Sequence, residues 1–153
     1  MKQKFIDAHM EVAEVYSQLS SAKRLQVGCV IVKDDTIIGI GYNGMPSGWD
    51  NCCEDKVLLP QKEISPGVVD MASRYELKTK PEVIHAEINA ISKVARSTNS
   101  SEYADMFITH APCIECAKAI FQSGISRVFY RDTYRSEDGI HFLQKCDVEV
   151  IRV

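Results

Sequence analysis

The chain has 153 residues, of which 45% are hydrophobic and 25% are charged. This composition is typical of one globular domain with a buried core. The net charge is −3, the sequence pI is about 5.8, and the Lys and Arg residues are scattered along the chain. Proteins that bind nucleic acid usually carry a basic stripe on their surface. Since the basic residues are scattered here, the charge pattern indicates a small-molecule ligand instead.

The N-terminal residues are charged throughout and lack the continuous apolar segment of a signal peptide. The longest apolar run, near 27–32, is too short to cross a bilayer. We therefore expect a cytoplasmic protein whose cysteines are reduced thiols or metal ligands. The six cysteines stand at positions 29, 52, 53, 113, 116 and 146.

The first half of the chain contains one helix pattern and one hairpin pattern. Apolar residues at helical spacing predict an amphipathic helix over 2–19. Two β-rich runs flank the polar break Lys33-Asp34-Asp35 and predict a β-hairpin. Residues 43–82 show weak periodicity, with a short helix near 69–77 as their one regular element. We interpret about 49–82 as a functional insertion.

In the second half of the chain, helix and strand patterns alternate. Repeated crossovers of this kind produce parallel strands with helices on both faces, and the initial hairpin makes the sheet mixed. The sequence therefore predicts an α/β fold in a single domain over 1–153. The predicted helices cover 85–96, 112–122 and 136–145, and the predicted strands cover 105–109, 126–131 and 147–152.

Two segments carry candidate metal ligands, His85-Ala86-Glu87 and Pro112-Cys113-Ile114-Glu115-Cys116. Cys113 and Cys116 are three residues apart at a predicted helix start, so both sulfurs project from one face of the first turn. Pro112 suits the first helical position, because proline has no amide hydrogen and the helix does not use one at that position. A helix N-terminus also lowers thiol pKa values. With His85 as the third ligand, tetrahedral zinc keeps one open position, which is typical of a catalytic site.

Glu87 is the candidate catalytic residue. Zinc with two thiolates and a neutral imidazole carries no net charge, so it acidifies a water molecule less than a three-histidine centre does. A carboxylate base near the metal is then useful. Glu87, two residues after His85, can take a proton from the water and deliver it to a ring nitrogen.

Each of these features has a common structural explanation when it occurs alone. A C-x-x-C pair is often a structural zinc or redox motif, and a helical Glu usually faces solvent. A zinc-stabilised binding module is a further alternative, with Glu87 as the fourth ligand. The joint pattern at two helix starts favours the catalytic interpretation.

The two segments resemble those of the cytidine deaminase superfamily, and within it the deoxycytidylate (dCMP) deaminases. Residues 85–91 are similar to the H-x-E segment and residues 109–118 to the P-C-x-x-C segment, and the resemblance extends from Val27 to the C-terminus. The run Gly-Tyr-Asn-Gly-Met-Pro-Ser-Gly at 41–48 and the insertion after it resemble dCMP deaminases. Deaminases of tRNA adenosine, nucleosides or free bases are the enzyme alternatives. The resemblance implies a three-layer α/β/α fold with a five-stranded mixed sheet.

The resemblance also implies substrate contacts. Asn43 would bond the sugar, the backbone at Ala86 and around Pro112 would read the pyrimidine edge, and Tyr134 would contact the ring or the sugar. A simple turn at Asn43-Gly44 and a surface aromatic at Tyr134 are the structural alternatives. A monophosphate also needs a cation, and the candidates are Arg24 first, then Lys23, Arg131 and Arg135. A solvated surface charge is the structural alternative for each of them.

The implied reaction is hydrolysis of dCMP to dUMP and ammonia. Water adds at C4 of the cytosine, while Glu87 carries a proton to N3 and then to the leaving amine. CMP and modified cytosine nucleotides such as 5-hydroxymethyl-dCMP are alternative substrates.

Members of this family are typically hexamers that dCTP with Mg²⁺ activates and dTTP inhibits. In the glycine-rich loop at 41–48, backbone amides would donate hydrogen bonds to the phosphate oxygens of the effector. By the resemblance, Arg96 would take part in this regulation and in subunit contacts. A cation favourably placed at a helix C-terminus explains Arg96 equally well. The effector residues implied here are Gly44, Met45, Pro46, Gly48, Asn51 and Arg96.

The sequence departs from those relatives that hold a second, structural zinc. Cys52 and Cys53 match part of that ligand set, whereas Ala22, Tyr75 and Val83 occupy the other positions and cannot ligate a metal. We therefore predict one zinc per chain and reduced thiols in the insertion. Outside these motifs, Cys29 and Cys146 are expected to face the core, and His9, His110 and His141 carry no motif.

Overall fold

The computed structural model describes residues 1–69 and 74–153. Helix α1 spans Gln3–Ser17, and the hairpin after it consists of β1, Gly28–Lys33, and β2, Thr36–Tyr42. Asp34 and Asp35 join these strands with φ angles of 49° and 57°. This left-handed conformation belongs to two-residue turns whose twist matches that of paired strands. The predicted first helix and hairpin are confirmed, although α1 ends before residue 19.

The insertion contains four strands in its described part. β3, Glu54–Leu58, pairs with β6, Tyr75–Thr79, in an antiparallel arrangement that we call the ribbon. The short strands β4, Glu63–Ser65, and β5, Val68–Val69, form a second pair.

The helix predicted near 69–77 is wrong where the chain is described. Val69 and residues 75–77 lie in strands, and residues 70–73 lie outside the described residues. In β6, Leu77 and Thr79 are half-buried while Lys78 between them is exposed. This period of two is typical of a strand and overrides the weak helical spacing.

The second half of the chain alternates between helices and strands as predicted. Each element begins and ends within two residues of its predicted bounds. The elements are α2, Ala86–Ala95; β7, Asp105–His110; α3, Ile114–Gln122; β8, Arg127–Asp132; α4, Asp138–Lys145; and β9, Glu149–Arg152.

The central sheet has five strands in the order β2-β1-β7-β8-β9. β1 is antiparallel to both β2 and β7, whereas β7, β8 and β9 are mutually parallel. The two parallel connections run through α3 and α4, because parallel strands need a crossover. The predicted five-stranded mixed sheet is confirmed.

Helix α1 covers one face of this sheet. Its buried Met10 and Ala13 pack against Phe107 and Phe129, and the two phenylalanine rings stack at 4.7 Å. Complete burial of one such large apolar side chain contributes about 1.5–3 kcal/mol to stability.

Helices α2, α3 and α4 cover the other face. They bury Ala90, Ile120 and Leu143 in one core with Ile31 and Met106 of the sheet. Alternation along β1 therefore sends Ile31 to this face and its neighbours to the α1 face. The predicted three-layer α/β/α arrangement is confirmed.

All six cysteines are free thiols. Cys29 is fully buried in the core, and Cys146 packs against it, so the expectation for both is confirmed. Burial, followed by the nearby charge of Glu87, raises the pKa of Cys29 well above its usual value, and this thiol stays neutral. Of the helices in the described part of the chain, none has the length and apolar character that a membrane span needs.

Candidate active site

Two helix N-termini meet at one edge of the sheet, and each presents a metal-ligating residue at the N-cap position. His85 precedes α2 and Cys113 precedes α3, both with extended backbone, and neither side chain caps its own helix. Their carbonyl oxygens accept the first helical hydrogen bonds, from the amides of Asn89 and Ala117, both at 2.9 Å. Their side chains are therefore free to ligate a metal. Pro112 stands before the N-cap rather than at the first helical position, because α3 begins two residues later than predicted.

His85, Cys113 and Cys116 bring their ligating atoms within 4.8 Å of one another, and we call them the metal cluster. The Nδ1 of His85 lies 3.3 Å from the Sγ of Cys116 and 3.6 Å from the Sγ of Cys113. Tetrahedral zinc with its usual bond lengths to nitrogen and sulfur would separate these atoms by about 3.5 Å. The geometry and donor set of the metal cluster therefore fit zinc and leave a fourth position for a water molecule.

The protonation of the metal cluster is coupled across the two sulfurs. A hydrogen bond with Cys116 lowers the pKa of Cys113 to about 3, and the same bond raises the pKa of Cys116. The hydrogen bond to Cys113 also raises the pKa of His85. The two thiols thus share one proton, which a divalent cation would displace on binding.

Glu87 is the second residue of α2 and lines the same space as the metal cluster. It is only 4% exposed, and this burial raises the pKa of its carboxyl group. A carboxyl group with a raised pKa holds a proton more readily than an ordinary carboxyl group does, which suits a general acid and base.

The metal cluster opens into a cavity of about 440 Å³. His85, Glu87 and Cys113 line this cavity. Arg24 and Arg135 bring positive charge to its wall. A cavity with a metal site and two cations suits a small anionic ligand. The other residues that line it are Ala22, Leu25, Val27, Asn43, Glu54, Thr79, Val83, Ala86, His110, Ala111, Thr133 and Tyr134.

Four of the five predicted substrate residues, Asn43, Ala86, Tyr134 and Arg24, line this cavity. Pro112 does not, since it is fully buried beneath the wall that its neighbours Ala111 and Cys113 form.

Asn43 has a structural role as well as a place in the cavity wall. Its Nδ2 donates to the carbonyl oxygen of Leu25 at 2.9 Å, and its Oδ1 accepts from the amide of Val27 at 2.8 Å. These two bonds tie the end of β2 to the segment that precedes β1. One amide hydrogen of Asn43 is left for a ligand.

The four candidate phosphate cations separate into two groups. Arg24 and Arg135 line the cavity, whereas Lys23 lines a neighbouring depression on the other side of Glu54. Arg131 forms an ion pair with Glu14 of α1 instead.

Several residues of the cavity wall escaped the sequence interpretation. Glu54 and Thr79 belong to the ribbon, and no short motif links them to the metal cluster. His110 adjoins the P-C-x-x-C segment, and its Nδ1 lies 3.2 Å from the Oγ1 of Thr109. Its position directly before Ala111 was the one available signal.

Five of the six predicted effector residues lie in the segment that follows β2, and Arg96 lies at the end of α2. Gly44 forms a two-bond backbone bridge with Ile84, the residue before His85. Gly48 has a φ of 88° and is the third residue of a turn that runs from Pro46 to Trp49. Asn51 and Arg96 are exposed, the latter at the C-cap of α2.

Three of the positions that match the second, structural zinc site of some relatives form an apolar cluster in this protein. Ala22, Cys53 and Val83 are buried together, with Met45 packed against them. Tyr75 lies on the ribbon and is 51% exposed. The result is a small apolar cluster, and the one-zinc expectation stays a prediction.

Known proteins resemble this chain over most of its length. The family described as the cytidine and deoxycytidylate deaminase zinc-binding region matches residues 3–132. The deoxycytidylate deaminase of Enterobacteria phage T4 is 37% identical over 94% of this chain and 87% of its own length. The Homo sapiens protein of the same name is 38% identical over 84% of this chain and 66% of its own length.

A crystal structure of dCMP deaminase from the cyanophage S-TIM5, in complex with dCMP and dUMP, is similar in fold and sequence. It is 40% identical with a TM-score of 0.83, over 100% of this chain and 99% of that one. The family match includes all three residues of the metal cluster and Glu87. The resemblance to dCMP deaminases and the prediction of a deaminase are therefore confirmed. This chain belongs to the cytidine and deoxycytidylate deaminase family.

Proposed function

We propose that this protein catalyses the hydrolytic deamination of dCMP to dUMP and ammonia. The observation that carries the proposal is the single cavity in which His85, Cys113 and buried Glu87 lie with the cation Arg24. Those residues provide for a metal, a proton carrier and a phosphate partner in one space of nucleotide size. The named dCMP deaminases among the relatives also support this substrate.

The cavity residues divide into a base end and a phosphate end. We assign the backbone at Ala86 and at Ala111, beside Pro112, to the pyrimidine edge. Asn43 bonds the deoxyribose through its remaining amide hydrogen, and Tyr134 contacts the ring or the sugar. Arg24 binds the 5′-phosphate, since a guanidinium suits phosphate geometry.

Glu87 manages the protons of the reaction. Zinc held by His85, Cys113 and Cys116 would supply a Lewis acid that lowers the pKa of a water molecule. Glu87 accepts a proton from the attacking water, which forms the new bond to C4. It donates that proton to N3, takes the second water proton, and passes it to the amine as the C4–N bond breaks. Burial keeps its carboxyl group able to hold a proton between these steps.

Regulation is part of the proposal. dCTP with Mg²⁺ activates the enzyme and dTTP inhibits it, through Gly44, Met45, Pro46, Gly48, Asn51 and Arg96. The backbone bridge between Gly44 and Ile84 supports this assignment, because it gives the loop a direct connection to His85. The assembly is a homo-hexamer.

We further propose that residues 1–153 act as one deaminase domain with the insertion at about 49–82, in the cytoplasm. Free thiols at all six cysteines support a reducing compartment. The net charge of −3 supports a small-molecule substrate without nucleic-acid or membrane partners.

The experiment measures the loss of cytosine absorbance with dCMP, deoxycytidine and CMP, each with and without dCTP–Mg²⁺ or dTTP. Zinc content and sedimentation are measured on the same preparation. Turnover of dCMP above the other two, switched by the triphosphates in a hexamer, is the expected result. If zinc-loaded protein with dCTP turned over none of the three, the dCMP proposal would be overturned. Adenosine, guanine and RNA would then be tested.

A further inference from the structure

The segment between α1 and β1, residues 20–27, is irregular but firmly held. The Nε2 of Gln26 donates to the carbonyl oxygen of Ser20 at 2.6 Å, which closes the segment on itself. Asn43 holds its second half through the backbone of Leu25 and Val27. The segment therefore has a defined path along the cavity wall.

The ribbon holds the middle of this segment from the other side. Glu54 Oε1 accepts hydrogen bonds from the backbone amides of Lys23 and Arg24, at 2.8 and 3.1 Å. Thr79 Oγ1 accepts a hydrogen bond from Nη1 of Arg24 at 3.0 Å. Glu54 and Thr79 are directly opposite each other in the β3–β6 register, and we call this pair the rung. The rung thus fixes both the backbone and the side chain of Arg24.

The two residues of the rung contact different parts of Arg24, and neither forms an ion pair with its guanidinium. Glu54, which is 7% exposed, accepts hydrogen bonds from backbone amides through one carboxylate oxygen, while the guanidinium bonds to the neutral hydroxyl of Thr79. Arg24 makes no ion pair with any acidic side chain in the part of the chain that the structure describes. Arg131, by contrast, is paired with Glu14. Arg24 keeps its positive charge and four further N–H groups for an anion in the cavity.

We infer that the Glu54–Thr79 rung positions Arg24 for the 5′-phosphate, so that the insertion determines selectivity for the nucleotide over the nucleoside. This inference rests on the proposed function, since it needs a substrate with a phosphate. Glu54 and Thr79 are positioning residues that act through Arg24. Holding a long Arg side chain in advance also lowers the entropic cost of phosphate binding.

The first test replaces Thr79 with valine, which has a similar shape but no acceptor. T79V is expected to raise KM for dCMP about 10–150-fold, the effect of one lost hydrogen bond to a charged group. The change should fall on KM rather than on kcat. Calorimetry with dUMP and deoxyuridine provides a readout besides activity, and only the affinity for dUMP should fall.

A double-mutant cycle separates positioning through Arg24 from a direct role. In the R24A background T79V should have no further effect on the affinity for dUMP, because the side chain that it holds is gone. An equal loss in both backgrounds would overturn the inference.

Glu54 is tested by two variants. E54A should weaken dUMP binding, whereas E54Q keeps an acceptor oxygen for the two amides and should restore most of it. Circular dichroism and zinc content check that E54A is folded. T36V and E76A are the matched controls, since both residues are exposed and lie away from the cavity.

The outcomes also separate this inference from the proposed function. A wild-type enzyme that turns over dCMP, with T79V and E54A indistinguishable from it, would overturn the inference alone. A wild-type protein that neither binds dUMP nor turns over dCMP would overturn both.

Discussion

Gly41 lies so close to Ala86 that a β-carbon on the glycine would stand 2.1 Å from the Ala86 carbonyl oxygen. Strand β2 therefore packs directly on the first turn of α2, the turn that carries Glu87. This contact explains a glycine within the 41–48 run by packing, independently of any ligand.

G41A should destabilise the fold, because backbone atoms of α2 cannot move aside as a flexible side chain can. We expect a loss of about 1–3 kcal/mol or more in the free energy of unfolding, measured by urea denaturation. The matched control is G44A in the same 41–48 run, where an added β-carbon meets nothing within 4 Å. A control loss above about 0.5 kcal/mol, or an unaffected G41A, would contradict the packing explanation.

E87Q should retain zinc and the native circular dichroism spectrum but lose activity by about 10²–10⁴-fold in kcat. The reason is that an amide cannot carry the proton from water to the ring. The measurements are cytosine absorbance and zinc content.

The control for this variant is E115Q. Glu115 is the second residue of α3, as Glu87 is of α2, but it is exposed and paired with Lys118. It should keep nearly full activity. An E87Q enzyme with half the wild-type rate would refute the proton-carrying role.

C113S and C116S should each lose most of the bound zinc, because a hydroxyl is a far weaker zinc ligand than a thiolate. Elemental analysis of the wild-type protein should give one zinc per chain. C52S and C53S should leave that value unchanged, since Cys53 packs with Ala22 and Val83. Two zincs per chain, or zinc loss in C53S, would indicate a second site in the insertion.

Two ion pairs with the same 2.6 Å distance should differ in their contribution to stability. Arg127 makes two bonds to Asp105, whose side chain is only 7% exposed, whereas the side chains of Lys118 and Glu115 are 49% and 75% exposed. R127M should cost about 1–3 kcal/mol in unfolding free energy, because it leaves a buried carboxylate without its partner. K118M should cost at most about 0.5 kcal/mol. Equal effects in urea denaturation would contradict the dependence on burial.

The local patterns of this sequence were sufficient for most of the fold and for the metal cluster. Helix periodicity, strand alternation and the Asp34-Asp35 turn are set by neighbours within a few residues, so they can be read along the chain. The same holds for His85, Glu87, Cys113 and Cys116, because each pair lies in a single short segment at a helix start. Local patterns gave a wrong prediction in the insertion, where the helix expected near 69–77 overlaps the strand Tyr75–Thr79. Strand β6 is stabilised by its partner β3, which lies some twenty residues earlier, and a short sequence window does not contain that partner.

Only the tertiary structure decided which of the candidate cations face the cavity and which residues outside the motifs, such as Glu54 and Thr79, line it. No sequence motif separates Arg24, the first candidate, from Lys23, Arg131 and Arg135. Packing separates them: Arg131 is drawn to Glu14 of α1, 117 residues away, while Arg24 is held by Glu54 and Thr79, 30 and 55 residues away. It also buried Pro112 behind Ala111 and Cys113. The chemistry of a ligand set depends on residue type and helical spacing, which the sequence contains. The direction of a charged side chain depends on long-range partners that meet only when the sheet and the ribbon have formed.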